Sequence, residues 1–259
     1  MAVLIGTSGW QYQHWRGVFY PPQLAIGRWL DHYAARFATV EINNSFYQLP
    51  SHETFQRWAS ETPHDFVLCP KASRYLSHLK KLKDPAEPVA RFVGAARGLG
   101  RKLGPVLLQL PGNFHANPGR LAETLACFGT DVRVAVELRH GSWFSDEVRG
   151  LLERHGAALC LADRGSRLVT PGWRTADWGY LRLHQGAASP HPCYGRTAVG
   201  SRARLLAETW GGDCDVYVFF NNDPRGCALR DARRFALACA RQGLEPTRVP
   251  DRGDVEIAS

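Results

Sequence analysis

Eight short apolar runs recur along the chain, and between most of them the apolar residues change from continuous to helical spacing. The runs are 3–7 (VLIGT), 39–42 (TVEI), 66–70 (FVLCP), 106–110 (VLLQL), 134–138 (VAVEL), 158–162 (ALCLA), 179–183 (GYLRL) and 216–220 (VYVFF). Continuous apolar runs this short suit strands buried on both faces, as in a parallel sheet. Over 24–37, Ile26, Trp29, Leu30, Tyr33, Ala34 and Phe37 share one helical stripe just after Pro21 and Pro22. Over 145–155, Ser145 is the expected N-cap, Asp146 and Glu147 sit at the positive end of the helix dipole, and Gly156 ends the helix. Further helices are expected at 53–60, 89–99, 120–128, 202–210 and 228–241, whereas 164–175 contains Gly165, Pro171 and Gly172 and reads as loop.

Eight strands alternating with about seven helices fit a TIM-like (β/α)8 barrel better than a doubly wound open sheet, with an irregular or missing helix after strand six. No internal repeat or low-complexity linker interrupts 1–244, which reads as a single domain; the polar, aperiodic stretch 245–259 reads as a loose tail. The connections 71–88 and 185–201 are long enough to cover a barrel mouth.

Polar residues collect at the C-terminal ends of these runs, the face on which such barrels carry their sites. They are Thr7 and Ser8, then Glu41, Asn43 and Asn44, then Lys71, then Gln109. The later strands supply Glu137, Arg139 and His140, then Asp163, then Arg182 and His184, then Asn221, Asn222 and Asp223. Glu137 and Arg139 stand two apart on one strand and so share a face, where they either pair or await a ligand. Lys71, Arg139 and Arg182 form a cationic set suited to a carboxylate or phosphate. With them His184, Gln109, Asn43, Asn222 and Trp10 are the expected substrate contacts, and Glu137, Asp163 and Glu41 the expected catalytic carboxylates. The opposing reading is a buried ion network of Glu41, Lys71, Glu137 and Arg182 that holds the mouth together and binds nothing. Glu41, Glu137, Asp163 and His184 could also ligate a divalent ion, but no local ligand motif supports this, no metal residues are assigned, and the cofactor stays unknown. The aromatic groups Trp10, Tyr12, Trp15, Phe19 and Tyr20, and Phe46 and Tyr47, either pack the long loops or stack a sugar or base.

Composition narrows the partners. The chain has 259 residues, 44% hydrophobic and 22% charged, and a formal net charge of +8, which together exclude disordered and fibrous classes and favour acidic partners. A small anionic molecule is the expected ligand; nucleic acid is the alternative, either bound by the basic surface and the Trp10 to Tyr20 rings or cleaved by a metal-dependent phosphodiesterase. The seven cysteines form no C-x-x-C pair and their number is odd, which argues against a disulfide framework or zinc ribbon and for a reducing compartment. MAVLIGTSGW carries no basic leader or membrane span, so a cytoplasmic protein with no membrane partner is expected. Oligomeric state is not legible.

Several longer motifs stand out: IGTSGWQYQHW at 5–15, FYP at 19–21, VEINNSFYQLP at 40–50, KASRYLSH at 71–78, KLGPVLLQLP at 102–111, VELRHGSW at 136–143, YLRLHQG at 180–186 and FFNND at 219–223. With these the chain resembles the YecE-like family, domain of unknown function 72, from residue 5 to about 235. The resemblance implies a TIM-barrel-like fold and carries no established activity. The chain departs from the family pattern at Gly112, Ser77 and Gln185, all in mouth loops.

Overall fold

Residues 2 to 211 and 214 to 255 are described in the computed structural model. Each apolar run forms a parallel strand: β1 (Val3–Thr7), β2 (Thr39–Ile42), β3 (Val67–Pro70), β4 (Val106–Gln109), β5 (Val134–Glu137), β6 (Ala158–Arg164), β8 (Gly179–Leu183) and β9 (Val216–Phe220), with a two-residue β7 (Arg167–Leu168) beside β6. Both faces are buried, and the period of two sorts them. Val3, Ile5, Val40, Ile42, Val136, Leu181 and Val218 pack outward in one core with helix residues such as Leu30, Phe92 and Phe235. Leu4, Cys69, Leu107, Ala135, Cys160, Tyr180 and Tyr217 form a second core within the curl of the sheet. This division explains why the runs are continuously apolar rather than alternating.

The helices are α1 (Trp29–Arg36), α2 (Asn44–Tyr47), α3 (His52–Ser60), α4 (Ala86–Ala96), α5 (Pro118–Phe128), α6 (Asp146–Arg154), α7 (Arg196–Trp210) and α8 (Cys227–Arg241). Ser145 caps α6 as expected, accepting from the Val148 N–H at 3.4 Å. The first helix begins five residues later than the stripe suggests, and Ile26 is exposed. No helix follows strand six among the described residues. Gly165 and Ser166, both at positive φ, instead turn β6 back into the antiparallel β7.

The result is an α/β, TIM-barrel-like curl. A continuous ladder runs β1-β9-β8-β6-β5-β4, while β2 and β3 form a separate pair. Isolated bridges at Leu68 with Leu103 and Lys71 with Leu107 connect β3 to β4. Between β1 and β2 no ladder is present among the described residues, and side chains close the seam. The Tyr33 hydroxyl accepts from the Thr7 N–H at 3.0 Å and donates to the Thr39 carbonyl at 3.2 Å, and Asn43 Nδ2 donates to the Ser8 carbonyl at 2.7 Å. The strands approach closely because Gly6 has no side chain: a Cβ there would meet the Thr39 oxygen at 2.3 Å.

Two expectations need correction. Residues 245 to 255 are not loose: the Val3 N–H donates to the Glu245 carbonyl at 2.8 Å, the Thr247 N–H donates to the Val3 carbonyl at 2.9 Å, and Arg36 pairs with Asp254 at 2.9 Å. Backbone pairing along the outer end of β1 supplies what their polar sequence does not advertise; residues 256 to 259 lie outside the described residues. Cys193 and Cys227 form a disulfide, which joins the loop after β8 to the start of α8. Their separation of 34 residues carries no local spacing signal.

Gly6→Ala should force β1 and β2 apart and cost about 1–3 kcal/mol. A lower urea midpoint at unchanged slope would register this. Parent-like stability would mean that the seam does not depend on the close approach.

Candidate functional site

The inner core changes character one step along five of the strands. Two residues beyond Cys69, Leu107, Ala135 and Tyr180 on the same face stand Lys71, Gln109, Glu137 and Arg182, and Glu41 follows Thr39 in the same way. The apolar floor is thereby roofed by a charged layer.

Arg182 is its centre, with its side chain 1% exposed. Its Nη2 donates to Glu41 Oε1 at 2.7 Å and its Nε to Glu41 Oε2 at 2.9 Å, a two-pronged contact, while Nη1 donates to Glu137 Oε2 at 2.7 Å. The Tyr180 hydroxyl fills the remaining direction on Glu41 Oε2 at 2.7 Å. Glu137 Oε1 accepts from Arg139 Nε at 2.7 Å and Gln109 Nε2 at 3.0 Å, and lies 3.1 Å from His184 Nε2. Burial opposes ionisation of Glu137, yet Arg182, His184 and Arg139 overcome it and hold its carboxyl well below the usual range. A carboxylate so occupied and so acidic is poorly suited to hold or take a proton near neutrality. Glu41 is likewise saturated. Glu41 and Glu137, two of the three expected catalytic carboxylates, are thus both held within this layer by several contacts each.

Asp163 is also engaged. It accepts from the Tyr194 hydroxyl at 2.6 Å and the His184 N–H at 2.9 Å; burial pushes its carboxyl up against these contacts. Asn222 stands apart from the charged layer, donating to Asp231 Oδ2 at 2.9 Å and to the Pro192 carbonyl at 3.1 Å. Among the described residues no group of three or more His, Cys, Asp or Glu side chains is placed to hold an ion.

Lys71 is different. The residue is 7% exposed, and its ammonium lies 4.1 Å from the centre of the Phe46 ring and makes no hydrogen bond or ion pair among the described residues. Burial first, and the Arg182 charge next, push it down to about 7. The nearby His78 is pushed down to about 4 by burial first and then by the charges of Lys71 and Arg139. Lys71 fronts a cavity of about 370 Å³ that Trp10, Asn43, Gln109, Arg139, Arg182 and Asn221 also line. Asn43 Oδ1 is buried there without a partner among the described residues. A second mouth cavity, about 690 Å³, is lined by Glu137, Asp163, His184 and His191, with Arg139 shared between the two. Arg139 is thus both paired with Glu137 and presented to open space.

Of the expected aromatics, Trp15, Phe19 and Tyr20 are buried in the packing of the loop, with Tyr20 stacked on Trp29 at 4.5 Å, while Trp10, also buried, lines the first cavity. Tyr180 was not anticipated, although its position two before Arg182 on one strand would have revealed it. Tyr194 and Asp231 lie in a loop and on a helix with no motif to mark them.

A family model described as "Protein of unknown function DUF72" matches residues 4–253. UPF0759 protein YecE of Escherichia coli K12 is 30% identical over 55% of this chain, which spans only 50% of the length of that relative. UPF0759 protein YunF of Bacillus subtilis 168 is 28% identical over 94% of this chain and 98% of its own. A crystal structure of a DUF72 family protein from Thermotoga maritima superposes with a TM-score of 0.76 at 27% identity, over 92% of this chain and 98% of that one. The charged roof and its cavity therefore sit on a known scaffold: this chain belongs to the DUF72 family.

Proposed function

We propose that the mouth binds a small anionic, hydroxyl-bearing metabolite in the cavity fronted by Lys71, and that the chain is an enzyme in which Lys71 transfers a proton. The observation that carries this reading is the buried, unpaired ammonium of Lys71 on a cavity wall. A desolvated lysine pushed down to about 7 is both an anion contact and a competent base at neutral pH. Arg139 supplies the second cationic contact, and Asn43, Gln109 and Asn221 offer amide groups to hydroxyls, Asn43 Oδ1 being an acceptor in need of one. Trp10 gives the cavity an apolar side. In this reading Glu41, Glu137, Arg182 and His184 hold the frame, and Asp163 anchors the loop after β8 through Tyr194.

Among the described residues no helix is long and apolar enough to cross a membrane. A cytoplasmic location belongs to the same proposal and rests on the buried thiols of Cys69, Cys160 and Cys239; the Cys193–Cys227 disulfide weighs against it.

Anion binding favours the charged lysine, so sulfate and gluconate should bind with pH-independent affinity below about pH 7 and weaken up to tenfold per pH unit above it. Calorimetric titration from pH 6 to pH 9, about one unit either side of neutrality and beyond, checks this. Affinity that stays flat across the range, or survives Lys71→Met, sinks the proposal. Stability gives an independent contrast. Because the folded-state value of Lys71 lies below the unfolded one of about 10.4, its charge costs stability fully below pH 7 and not at all above the unfolded value. Lys71→Met should therefore gain on the order of 1–4 kcal/mol at pH 6. Arg182→Met strands two buried carboxylates and should lose about 3–5 kcal/mol. Thermal melts of both variants that shifted in the same direction would contradict the division between frame and site.

A further inference from the structure

Away from the mouth, α8 carries a second feature. Its buried face is apolar, with Leu229, Ala232, Phe235 and Cys239 in the core. Its other face places Arg230, Arg233, Arg234, Leu237 and Arg241 on a single stripe at helical spacing. These residues, with Arg196 of α7 and Arg252 of the following turn, line a groove of about 740 Å³ that shares no residue with either mouth cavity. Like charges three and four apart on a helix repel. Here relief comes from Asp231, 3.0 Å from Arg230 Nε and 3.9 Å from Arg234 Nη1. Arg196, Arg233, Arg241 and Arg252 have no carboxylate in ion-pair range among the described residues. Arg230 Nη2 is buried with no acceptor among them. Burial and the neighbouring Arg230 lower the basicity even of Arg234, so the groove holds cations at a cost.

We infer that this arginine groove binds the phosphate backbone of a nucleic-acid strand. Every cation in it is arginine, whose fork matches phosphate oxygens in pairs. From Arg230 to Arg241 the stripe runs about 16 Å along the helix axis, long enough for several successive phosphates and too long for one. Among the described residues no aromatic side chain lines the groove, so they offer bases no stacking partner and binding is independent of sequence.

Fluorescence anisotropy of the full chain with labelled oligothymidylate tests this. The wild type should lose about 100-fold in affinity between about 50 and 200 mM salt, as expected for about five phosphate contacts on a single strand. Arg233→Gln with Arg241→Gln should weaken binding at least about tenfold and reduce the logarithmic salt slope by about 1.4. The melting temperature of this pair should equal or exceed that of the parent, because repulsion is relieved; this separates lost contacts from lost fold. Arg57→Gln with Arg149→Gln removes the same net charge from exposed helix pairs elsewhere and should leave affinity nearly unchanged. No binding by the wild type at low salt would overturn the inference. So would an equal loss in the two double variants, which would mean diffuse surface attraction.

Discussion

Arg182 between Glu41 and Glu137 is the interaction on which the rest of this structure depends. Bringing one guanidinium and two carboxylates out of water costs several kcal/mol per ion, and only near-complete hydrogen bonding offsets it. The geometry supplies this: a two-pronged contact to Glu41, a direct contact to Glu137, and Tyr180, Gln109, Arg139 and His184 on the remaining lone pairs. The three ions come from β2, β5 and β8, which lie apart around the curl. β2 has no ladder to β1, so the contact from Glu41 to Arg182 ties it to the far wall from within. An incomplete ring of backbone bonds is compensated by a side-chain crosslink through its centre.

The same crosslink decides where a ligand can act. Glu41, Glu137, Arg182 and Arg139 balance one another in charge, and of the four only Arg139 keeps donors facing open space. Lys71 adds a further positive charge to a balanced layer, at a position with little water and no carboxylate of its own. Such a residue burdens the folded state, and a burdened position next to a cavity is what a binding site requires. The structural network is thus present in Glu41, Glu137 and Arg182, and the proposed ligand site lies in the residues beside it.

Much of this was legible in the sequence. The eight apolar runs and the helical stripes gave the strand order and most helices, because burial on both faces leaves a continuous apolar signature. The polar strand ends located the mouth. Which of those side chains paired was not legible, because pairing depends on the curl that brings β2 opposite β8, a relation between residues 41 and 182. The free state of Lys71 was equally hidden: KAS after an apolar strand reads the same whether its ammonium meets a carboxylate or a ring. The pairing of residues 245 to 247 with β1 escaped notice because backbone hydrogen bonds leave no mark on side-chain pattern. The spread of basic residues along the chain concealed the arginine groove, since Arg196 and Arg252 join the stripe of the expected 228–241 helix only in the fold.

The net charge of +8 is therefore not one property but two. In the proposed mouth site Lys71, with Arg139 beside it, meets one small anion in a water-poor recess, where the Coulomb interaction is strong and weakly screened. Along α8, several guanidinium groups stand near bulk water, where each contact is weak, salt-sensitive and useful only in series. A metabolite with one charge gains little from the stripe, and a polymer backbone cannot enter a recess of about 370 Å³. Size and dielectric environment, rather than charge itself, keep the two anion-seeking surfaces from competing for the same ligand.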